Sequence, residues 1–374
     1  MKYFFIAGEA SGDLHASRLM EALKKAEPQA RFAGMGGDRM AAAGCMIVRH
    51  ISDMAFMGIV DVVRHASTIR RNMSIARAAL TKQRPDVLVL IDYPSFNLRM
   101  AAFCRKHLPD TKIVYYIPPK VWAWKRWRVH RIARLTDLVL CIFPFEKDFY
   151  RSYGYEAVYA GNPTCEELQD TIAETLNAEE KPADEYIAVL PGSRRHEVKQ
   201  CLKRMTEAAL RQKGYEVVVA RTSAVEEQVY TDILKQTDSS RIRLVTDKTR
   251  AVVAGAKAAV VNSGTATLET ALLGCPQAAV YHLAVGRLLY KFKPLLFKIP
   301  YFTLVNIIAG EEVIKEWLAY RFTTDNVAAD LSDILGNDSR RERMLQGYEK
   351  IRSALGASHA SAEAAQEILR LLQH

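Results

Sequence analysis

KYFFIAGEASGD, residues 2–13, is an apolar run that leads directly into a turn with two glycines. The apolar run predicts a buried strand over Lys2–Ala7, and the pattern that follows predicts a helix from about Leu14 to Ala26. A strand, a glycine turn and a helix form the repeating unit of doubly wound parallel sheets. We therefore interpret the stretch as the start of an α/β domain and not as a signal peptide, because no charged leader or cleavage site is present.

The alternation of apolar runs and helical patterns continues to about residue 160, pauses at Gly161–Pro163, and restarts with a strand over Tyr186–Leu190. Strands separated by helices of ten or more residues indicate parallel pairing. The acidic stretch from Glu166 to Glu185 is predicted to be a linker. The prediction is two Rossmann-like, doubly wound domains that face each other across a cleft. Their bounds are residues 1–165 and 183–340, and helices over 341–374 pack back on the first domain or on a partner chain.

Composition excludes several protein classes. The chain has 374 residues, of which 49% are hydrophobic and 25% charged, as in ordinary globular proteins and unlike disordered or collagen-like chains. Six cysteines are scattered without a CxxC pair, so neither a zinc knuckle nor a thioredoxin-type site is indicated. No apolar stretch approaches the roughly 18 residues of a membrane-spanning helix.

The positive charge is concentrated in acid-poor stretches that also carry aromatic residues. The net charge is +10, and the stretches lie at residues 56–77, 111–136 and 270–310. Mixed basic and aromatic residues indicate peripheral contact with an anionic membrane surface, and a solvated basic face is the alternative. No nucleic-acid-binding motif is present. The central stretch contains Trp122, Trp124 and Trp127 together with Lys112, Lys120, Lys125, Arg126, Arg128, Arg131 and Arg134.

Candidate catalytic residues of the first half follow two predicted strands. Asp92 comes at the end of the apolar run Val87–Ile91, a costly place for an acid unless it forms a local turn or takes part in chemistry. We predict that Asp92 is a general base or orients a hydroxyl, and that His15 joins it. Gly12 lies in a turn whose open backbone and helix N-terminus favour an anion, although a plain structural turn remains an alternative.

The second half carries a predicted nucleotide site without a P-loop lysine. Its first turn, PGSR, offers backbone N–H groups and a guanidinium to a diphosphate. Its second, SGTATLE, opens a helix, and an acid one turn inside can accept from ribose hydroxyls. The predicted binding residues are Ser193, Arg194, Ser263, Gly264, Thr265 and Glu269. No Asp-x-Asp pair accompanies these turns, so neither a metal nor another cofactor is expected.

Taken together, these segments resemble the lipid-A-disaccharide synthases, glycosyltransferases of the GT-B fold. The strings GEASGD, VWAW and PFEK are specific, whereas PGSR and SGTATLE are also similar to those of other UDP-sugar enzymes. The resemblance covers about three quarters of the chain in family order. It departs at Asn162, where the family has His, and at Val305-Asn306, where the family has Pro-Asn. Because the Asn is kept, the resemblance implies that Asn306 lies on the side of the site that binds the donor substrate.

The resemblance implies a specific reaction at the cytoplasmic face of the inner membrane. The donor is UDP-2,3-diacylglucosamine and the acceptor is 2,3-diacylglucosamine 1-phosphate, or lipid X. The acceptor 6-hydroxyl attacks C1 of the donor with inversion, and a homodimer is possible. Two alternatives stay open: another UDP-sugar enzyme, either a peptidoglycan lipid-intermediate glycosyltransferase or a UDP-N-acetylglucosamine 2-epimerase, and a non-catalytic basic protein that binds membrane or nucleic acid.

Overall fold

Two parallel sheets organise the chain, one in each of two units. The computed structural model describes residues 1–54, 66–123, 125–170, 185–237, 239–282, 300–356 and 359–373. Unit 1 comprises Met1–Glu166 and Ala357–His374, and unit 2 comprises Glu167–Gly356. Within the described helices, none is both long and apolar enough to cross a bilayer.

The unit 1 sheet has seven strands in the order β3-β2-β1-β4-β5-β6-β7, all parallel. Its central strands are nearly continuous apolar runs, as expected of a sheet that helices cover on both faces; all five residues of β4 are buried. The strands are β1 (Lys2–Ala7), β2 (Arg31–Gly36), β3 (Cys45–His50), β4 (Val87–Ile91), β5 (Lys112–Tyr116), β6 (Leu138–Cys141) and β7 (Val158–Tyr159).

Helices on both faces of this sheet bury two separate apolar cores. The helices are α1 (Ala10–Ala26), α2 (Asp38–Ala42), α3 (Ala66–Gln83), α4 (Pro94–His107), α5 (Arg128–Leu135), α6 (Pro144–Arg151), α7 (Pro163–Asp170) and, from the end of the chain, α15 (Ala360–Gln373). Ala364, Ala365 and Ile368 of α15 share a core with Ala16 and Leu19 of α1. The last helix is therefore a structural part of unit 1.

Unit 2 repeats the arrangement with six parallel strands in the order β10-β9-β8-β11-β12-β13. The strands are β8 (Tyr186–Leu190), β9 (Glu216–Arg221), β10 (Ile242–Thr246), β11 (Ala258–Asn262), β12 (Gln277–Tyr281) and β13 (Glu316–Leu318). The helices are α8 (Arg195–Leu210), α9 (Glu227–Leu234), α10 (Thr249–Ala254), α11 (Thr265–Leu272), α12 (Leu304–Ala309), α13 (Thr324–Gly336) and α14 (Asp338–Leu355).

Each sheet reverses its winding direction at one pair of neighbouring strands. In unit 1 the pair is β1 and β4, and in unit 2 it is β8 and β11. Ligands of doubly wound sheets bind beyond the carboxyl ends of the strands at this switch point. The turns after these four strands are the four segments that the sequence singled out.

Several predicted boundaries differ from the structure. Helix α1 begins at Ala10, so the last four residues of GEASGD form its first turn. Helix α7 occupies 163–170 and so includes the first residues of the predicted linker, 166–170, whereas 171–184 lie outside the described residues. The segment predicted as one C-terminal piece, 341–374, is divided: α14 belongs to unit 2 and α15 to unit 1. Exchange of α15 with a partner chain stays a prediction.

Candidate active site

Asp92 directly follows β4, on a backbone that its neighbours hold in place. Its φ of +42° and the +44° of Tyr93 lie in the left-handed region, which costs energy for a residue with a side chain. The amide of Asn97 donates to the Asp92 carbonyl at 2.7 Å, and the Tyr115 hydroxyl donates to the same oxygen at 2.8 Å. The Asp92 N–H donates to the Ile117 carbonyl at 3.2 Å. A strained backbone held by several bonds is typical of a functional site.

The glycine turn after β1 packs against the turn after β4. A Cβ on Gly8 would lie 2.4 Å from Cγ of Tyr93, so the ring can lie there only because residue 8 is glycine. Gly12 is buried in the first turn of α1, where a Cβ would meet Cβ of Ala7 at 3.3 Å and Cγ2 of Ile91 at 3.7 Å. Gly12 therefore has a packing role between α1 and two strand ends, and its predicted anion contact stays a prediction.

Asp13, the last residue of GEASGD, is a structural acid. It is buried, and its carboxylate accepts N–H groups from Gly37 at 2.6 Å, Arg39 at 3.0 Å and Met40 at 3.2 Å. These donors belong to the first turn of α2 and the residue before it, so Asp13 caps that helix from α1. These hydrogen bonds give the acid a structural role in unit 1.

A pocket of about 300 Å³ lies at the carboxyl edge of the unit 1 sheet, with Asp92 in its wall. Largely apolar walls with a few polar groups are typical of small-molecule sites. The polar lining residues are Asp92, Lys120, Arg128 and Glu146, and the other walls are Pro94, Ile117, Pro118, Pro119, Val121, Ile142 and Phe143.

Glu146 is the fully buried carboxyl of this pocket. It accepts the indole N–H of Trp122 at 2.9 Å and the backbone N–H groups of Ile142 at 3.2 Å and Phe143 at 3.1 Å. Burial raises the pKa of Glu146 to about 7, while these hydrogen bonds and the charge of Lys120 oppose the shift. Glu146 thus caps α6 and joins two of the motifs, VWAW and PFEK.

Asp92 is accessible to solvent, yet protein atoms surround its carboxyl group closely enough to change its acidity. Desolvation raises the pKa of Asp92, the negative charge of Glu9 adds to this, and Lys120 opposes it. Desolvation also lowers the pKa of Lys120, against the charges of Asp92 and Glu146. A carboxylate with a raised pKa beside a pocket is the arrangement that a general base needs.

His15 lies on α1 and is half-buried. Among the described residues, the lining of the Asp92 pocket does not include it. The structure therefore does not bring the two predicted catalytic residues into one pocket, and a direct role for His15 stays a prediction.

In unit 2, Asn262 connects the two predicted nucleotide-binding turns. Its side-chain amide donates to the carbonyl of Pro191 at 3.2 Å, which ties the turn after β11 to the turn after β8. Ser193 and Arg194 are exposed, and Ser263 is half-buried. The structure therefore brings together the two turns that the sequence assigned to one nucleotide.

The diphosphate donors predicted in the turn after β8, Ser193 and Arg194, are engaged inside the protein. The N–H groups of Ser193 and Arg194 donate to the carboxylate of Glu197 at 3.1 Å and 3.2 Å, and the Arg194 guanidinium donates to it at 3.3 Å. Glu197 is the third residue of α8 and forms a capping box with Arg194. An internal carboxylate thus occupies the donor set that the sequence assigned to phosphate.

Helix α11 has an open N-terminus. Gly264 is its N-cap and makes no side-chain cap bond, and a Cβ at this position would meet no atom within 4 Å. Gly264 and Thr265 are exposed. An accessible helix N-terminus of this kind favours an anion through its N–H groups and its dipole.

Glu269 lies one turn into α11 and is half-buried. Its Oε1 is 3.9 Å from Nη2 of Arg250, which also pairs with Glu167 at 2.7 Å. Burial raises the pKa of Glu269, Arg250 lowers it, and Glu167 raises it again. The predicted ribose acceptor is therefore held by a cation, and its contact with ribose stays a prediction.

Asn306 has a structural role, because its side chain is hydrogen-bonded to the segment 313–316. It is fully buried, and its amide nitrogen donates to the carbonyl of Ile314 at 2.8 Å and to Glu316 at 3.1 Å. Its oxygen accepts the N–H groups of Val313 at 2.9 Å and Ile314 at 3.0 Å. Direct contact with a donor sugar would require these bonds to break, so the geometry favours an indirect role.

Asn162, where the resemblance expects His, caps a helix. Its oxygen accepts the N–H groups of Thr164 at 2.9 Å and Cys165 at 3.3 Å, in the first turn of α7. Its amide donates to the carbonyl of Ile142 at 2.9 Å. A histidine ring does not reproduce this pattern, because Asn is among the preferred N-cap residues and His is not.

Parts of the predicted membrane patches lie outside the described residues, namely 56–65, Trp124 and 283–299. In the central patch, Trp122 is buried against Glu146 and Trp127 is 60% exposed. Lys120 and Arg128 line the Asp92 pocket. The interpretation of this stretch as one surface patch is therefore wrong for Trp122, which is buried, whereas the place of Lys120 and Arg128 on a membrane-facing surface stays a prediction.

Comparison with known proteins decides the family. The family model described as lipid-A-disaccharide synthetase matches residues 3–369. This chain belongs to that family. The lipid-A-disaccharide synthase of Myxococcus xanthus is 36% identical over 98% of this chain and 96% of its own length. That of Koribacter versatilis is 35% identical over 99% and 97%.

Membership of the lipid-A-disaccharide synthase family makes the chain a glycosyltransferase of lipid A biosynthesis, which confirms the predicted function and enzyme class. The family implies a UDP-diacylglucosamine and lipid X as substrates. A non-catalytic basic protein, one of the two alternatives, is thereby excluded.

Solved structures confirm the GT-B class of two parallel α/β sheets. The UDP-GlcNAc 2-epimerase of Neisseria meningitidis, solved with UDP-GlcNAc, has a TM-score of 0.66 at 12% identity over 99% of this chain and all of its own. The calicheamicin glycosyltransferase CalG4 has a TM-score of 0.60 at 14% identity over 100% and 98%. Identities this low show the fold alone, so the epimerase alternative gains nothing beyond a shared architecture.

Sequence reasoning assigned no role to Glu146 and placed Lys120 and Arg128 on a surface. For Glu146 a signal was present: PFEK has Pro at the first and Glu at the third helical position, which is a capping-box pattern. For Lys120 and Arg128 the sequence offers no such signal, because Lys and Arg in a segment after a strand have the same local pattern whether they line a pocket or lie on an open basic surface.

Proposed function

We propose that this lipid-A-disaccharide synthase transfers 2,3-diacylglucosamine from UDP-2,3-diacylglucosamine to the 6-hydroxyl of lipid X with inversion. The observation that carries the proposal is the position of Asp92, a carboxylate of raised pKa in the wall of a pocket beyond the carboxyl ends of β4, β5 and β6. A base at this place can take the proton of a hydroxyl bound in the pocket.

The reaction balances without a covalent enzyme intermediate. Asp92 takes the proton of the acceptor 6-hydroxyl while its oxygen forms a bond to C1 of the donor sugar. The bond between C1 and the diphosphate oxygen breaks, and UDP leaves with the electron pair. The products are the β-1,6 disaccharide 1-phosphate and UDP. A positioned base contributes roughly 10²- to 10⁴-fold to such a step.

Unit 2 would hold the donor through its UDP group. The exposed guanidinium of Arg194 and the open N-terminus of α11 supply positive charge for the leaving diphosphate, and Glu269 would accept from ribose hydroxyls. Charge stabilisation that exists before the reaction is usually the largest contribution to catalysis. Glu197 must yield part of its hydrogen bonds when the diphosphate arrives at Ser193 and Arg194.

We further propose that the enzyme acts at the cytoplasmic face of the inner membrane without spanning it. Both substrates carry acyl chains, and exposed basic residues accompany the exposed ring of Trp127. Arginine and lysine near anionic lipids contribute about 1 kcal/mol each, which suits reversible attachment.

A transfer assay in detergent with excess chelator tests the proposal. The enzyme receives UDP-2,3-diacylglucosamine and lipid X, and mass spectrometry follows UDP and the disaccharide 1-phosphate together. We expect acceptor-dependent release of both products at equal rates, and retention of activity in chelator. UDP release without disaccharide would overturn the proposed acceptor, and loss of activity in chelator would overturn transfer without a metal.

A further inference from the structure

Two cations line the Asp92 pocket. Lys120 follows Pro118 and Pro119 in the loop after β5, and Arg128 is the first residue of α5. In the part of the chain that the structure describes, neither makes a salt bridge, although Asp92 and Glu146 lie close enough to influence the pKa of Lys120. The Arg128 guanidinium lies over the ring of Trp127, 5.6 Å from its centroid.

The two carboxyl groups of the pocket act on Lys120 electrostatically, but in the described part of the chain neither forms a salt bridge with Lys120 or Arg128. The carboxyl oxygens of Glu146 accept hydrogen bonds from the indole N–H of Trp122 and from two backbone N–H groups. Asp92, the proposed base, is ionised when the acceptor binds, whereas burial raises the pKa of Glu146 to about 7 and so reduces its negative charge near neutral pH. Two cations facing one full and one partial negative charge leave the pocket with positive charge to offer to a substrate.

We propose that Lys120 and Arg128 form the subsite for the phosphate on C1 of the acceptor. The inference rests on the proposed function, because it takes lipid X as the acceptor. A phosphate monoester carries about −1.5 to −2 charges at pH 7. Arg offers it a planar fork of donors and Lys a compact charge, and both bonds are charge-assisted.

This subsite explains how the pocket selects one hydroxyl. The free hydroxyls of the acceptor are on C4, which lies across the ring from C1, and on C6, which is attached to C5 beside the ring oxygen. A phosphate fixed at Lys120 and Arg128 therefore determines which of these two hydroxyls reaches Asp92, in the wall of the same pocket. The apolar walls formed by Pro118, Pro119 and Phe143 exclude water and thereby strengthen the interaction between phosphate and cations. The two cations are thus specificity-determining residues for a phosphorylated acceptor.

The experiment changes the enzyme and the acceptor together. Lys120→Gln and Arg128→Gln are each assayed with lipid X and with the same diacylglucosamine lacking the phosphate, and kcat/KM is measured for both acceptors. Lys106→Gln, an exposed change on α4 away from the pocket, is the matched control. Circular dichroism establishes that each variant is folded, and Lys120→Arg tests whether charge alone restores part of the effect.

We expect each variant to lose about 10- to 100-fold in kcat/KM with lipid X, as for a charged hydrogen bond, and to change little with the acceptor that has no phosphate. Lys106→Gln keeps the wild-type preference. Equal losses on both acceptors would mean a structural role and would overturn the proposal. So would a wild-type enzyme that does not distinguish the acceptors, or a selective rise in the KM of the UDP-sugar. Failure of the wild type to use either acceptor would instead overturn the proposed function.

Discussion

The side-chain amide of Asn97 donates to the backbone carbonyl of Asp92 at 2.7 Å and to that of Ile91 at 3.1 Å. Asn97 is fully buried, so this bond belongs to the fold and exists before a substrate arrives. It holds Asp92 in its left-handed conformation and aims the chain after β4 at the pocket. A base fixed in this way loses little entropy when the acceptor binds.

Asp92→Asn should lower kcat by roughly 10²- to 10⁴-fold while the affinity for UDP stays near that of the wild type. The amide keeps the size of the side chain but cannot take the hydroxyl proton. Turnover and UDP titration calorimetry measure the two effects separately. Parallel loss of turnover and UDP affinity would contradict the assignment.

The pH dependence of turnover should reflect the raised pKa of Asp92. The base must be ionised, so kcat falls as the pH decreases through that pKa, at a higher pH than the ordinary aspartate value of about 3.9 allows. A kcat profile that extends from pH 8 down to the lowest pH at which the enzyme stays folded measures this acidic limb, and the residual activity of Asp92→Asn should lack it. If kcat of the variant fell over the same pH range, a group other than Asp92 would be responsible for the decrease.

Glu197→Gln should raise the affinity for UDP several-fold, because the change removes a negative charge from the donors of Ser193 and Arg194. Gln still accepts from the N-terminal N–H groups of α8, so the cap is largely kept. Arg194→Gln should lower the affinity by about 10-fold or more, as for loss of a charged hydrogen bond. Calorimetry with UDP checks both variants, and weaker binding in Glu197→Gln would show that UDP does not compete with this carboxylate.

Asp13→Ala should cost about 3 kcal/mol of the free energy of unfolding, because three N–H groups at the start of α2 lose a charged acceptor. Asp13→Asn, which keeps one oxygen acceptor, should cost less. Urea unfolding followed by tryptophan fluorescence measures both. Turnover per folded molecule should stay near wild type, and a loss of kcat without loss of stability would assign Asp13 to the active site after all.

Glu146 should make the stability of the protein depend on pH. Its folded pKa of about 7 exceeds the ordinary 4.5, so the folded state binds more protons than the unfolded state between these values. The free energy of unfolding therefore decreases as the pH rises from about 4.5 to 7, by up to about 3 kcal/mol. Glu146→Gln keeps an acceptor for Trp122 and removes the titration. A wild-type advantage over the variant that is equal at pH 5 and pH 7.5 would contradict the prediction.

Asn162→His, which restores the family residue, should destabilise the protein by about 1–2 kcal/mol without improving catalysis, because the cap of α7 is lost. Asn162→Ser keeps the cap and serves as the matched variant, with a smaller loss. Thermal unfolding and the transfer assay check the pair. Higher turnover in the His variant would restore a catalytic role for that position.

The sequence predicted most of the fold because parallel strands buried on both faces are nearly continuous apolar runs, as in Val87–Ile91. It missed β3, β7 and β13, which lie at the edges of the sheets and are short or only partly buried. It also began α1 at Leu14 and not at Ala10, because Gly12 is a poor helix former that close packing nevertheless requires.

The candidate site was predictable where a residue's role depends on its place after a strand. Asp92 follows a strand at the switch point of unit 1. Ser193 and Gly264 follow the two switch-point strands of unit 2, so sheet topology alone brings the turns of these last two residues together. Contacts between residues that are far apart in sequence could not be predicted in this way. Glu146 accepts a hydrogen bond from Trp122, 24 residues earlier in the chain. Asn306 forms its hydrogen bonds with a loop whose conformation the sequence pattern does not predict.

The packing of α15 on α1 has a consequence for biosynthesis. Unit 1 takes its first elements from the start of the chain and its last helix from residues 360–373, with all of unit 2 made in between. During translation, unit 2 can complete its core before Ile368, which packs in the same core as Ala16 and Leu19, has been synthesised. A nascent chain therefore exposes an apolar face of its first-made segment until the ribosome has added the last, and during that interval it needs protection from aggregation.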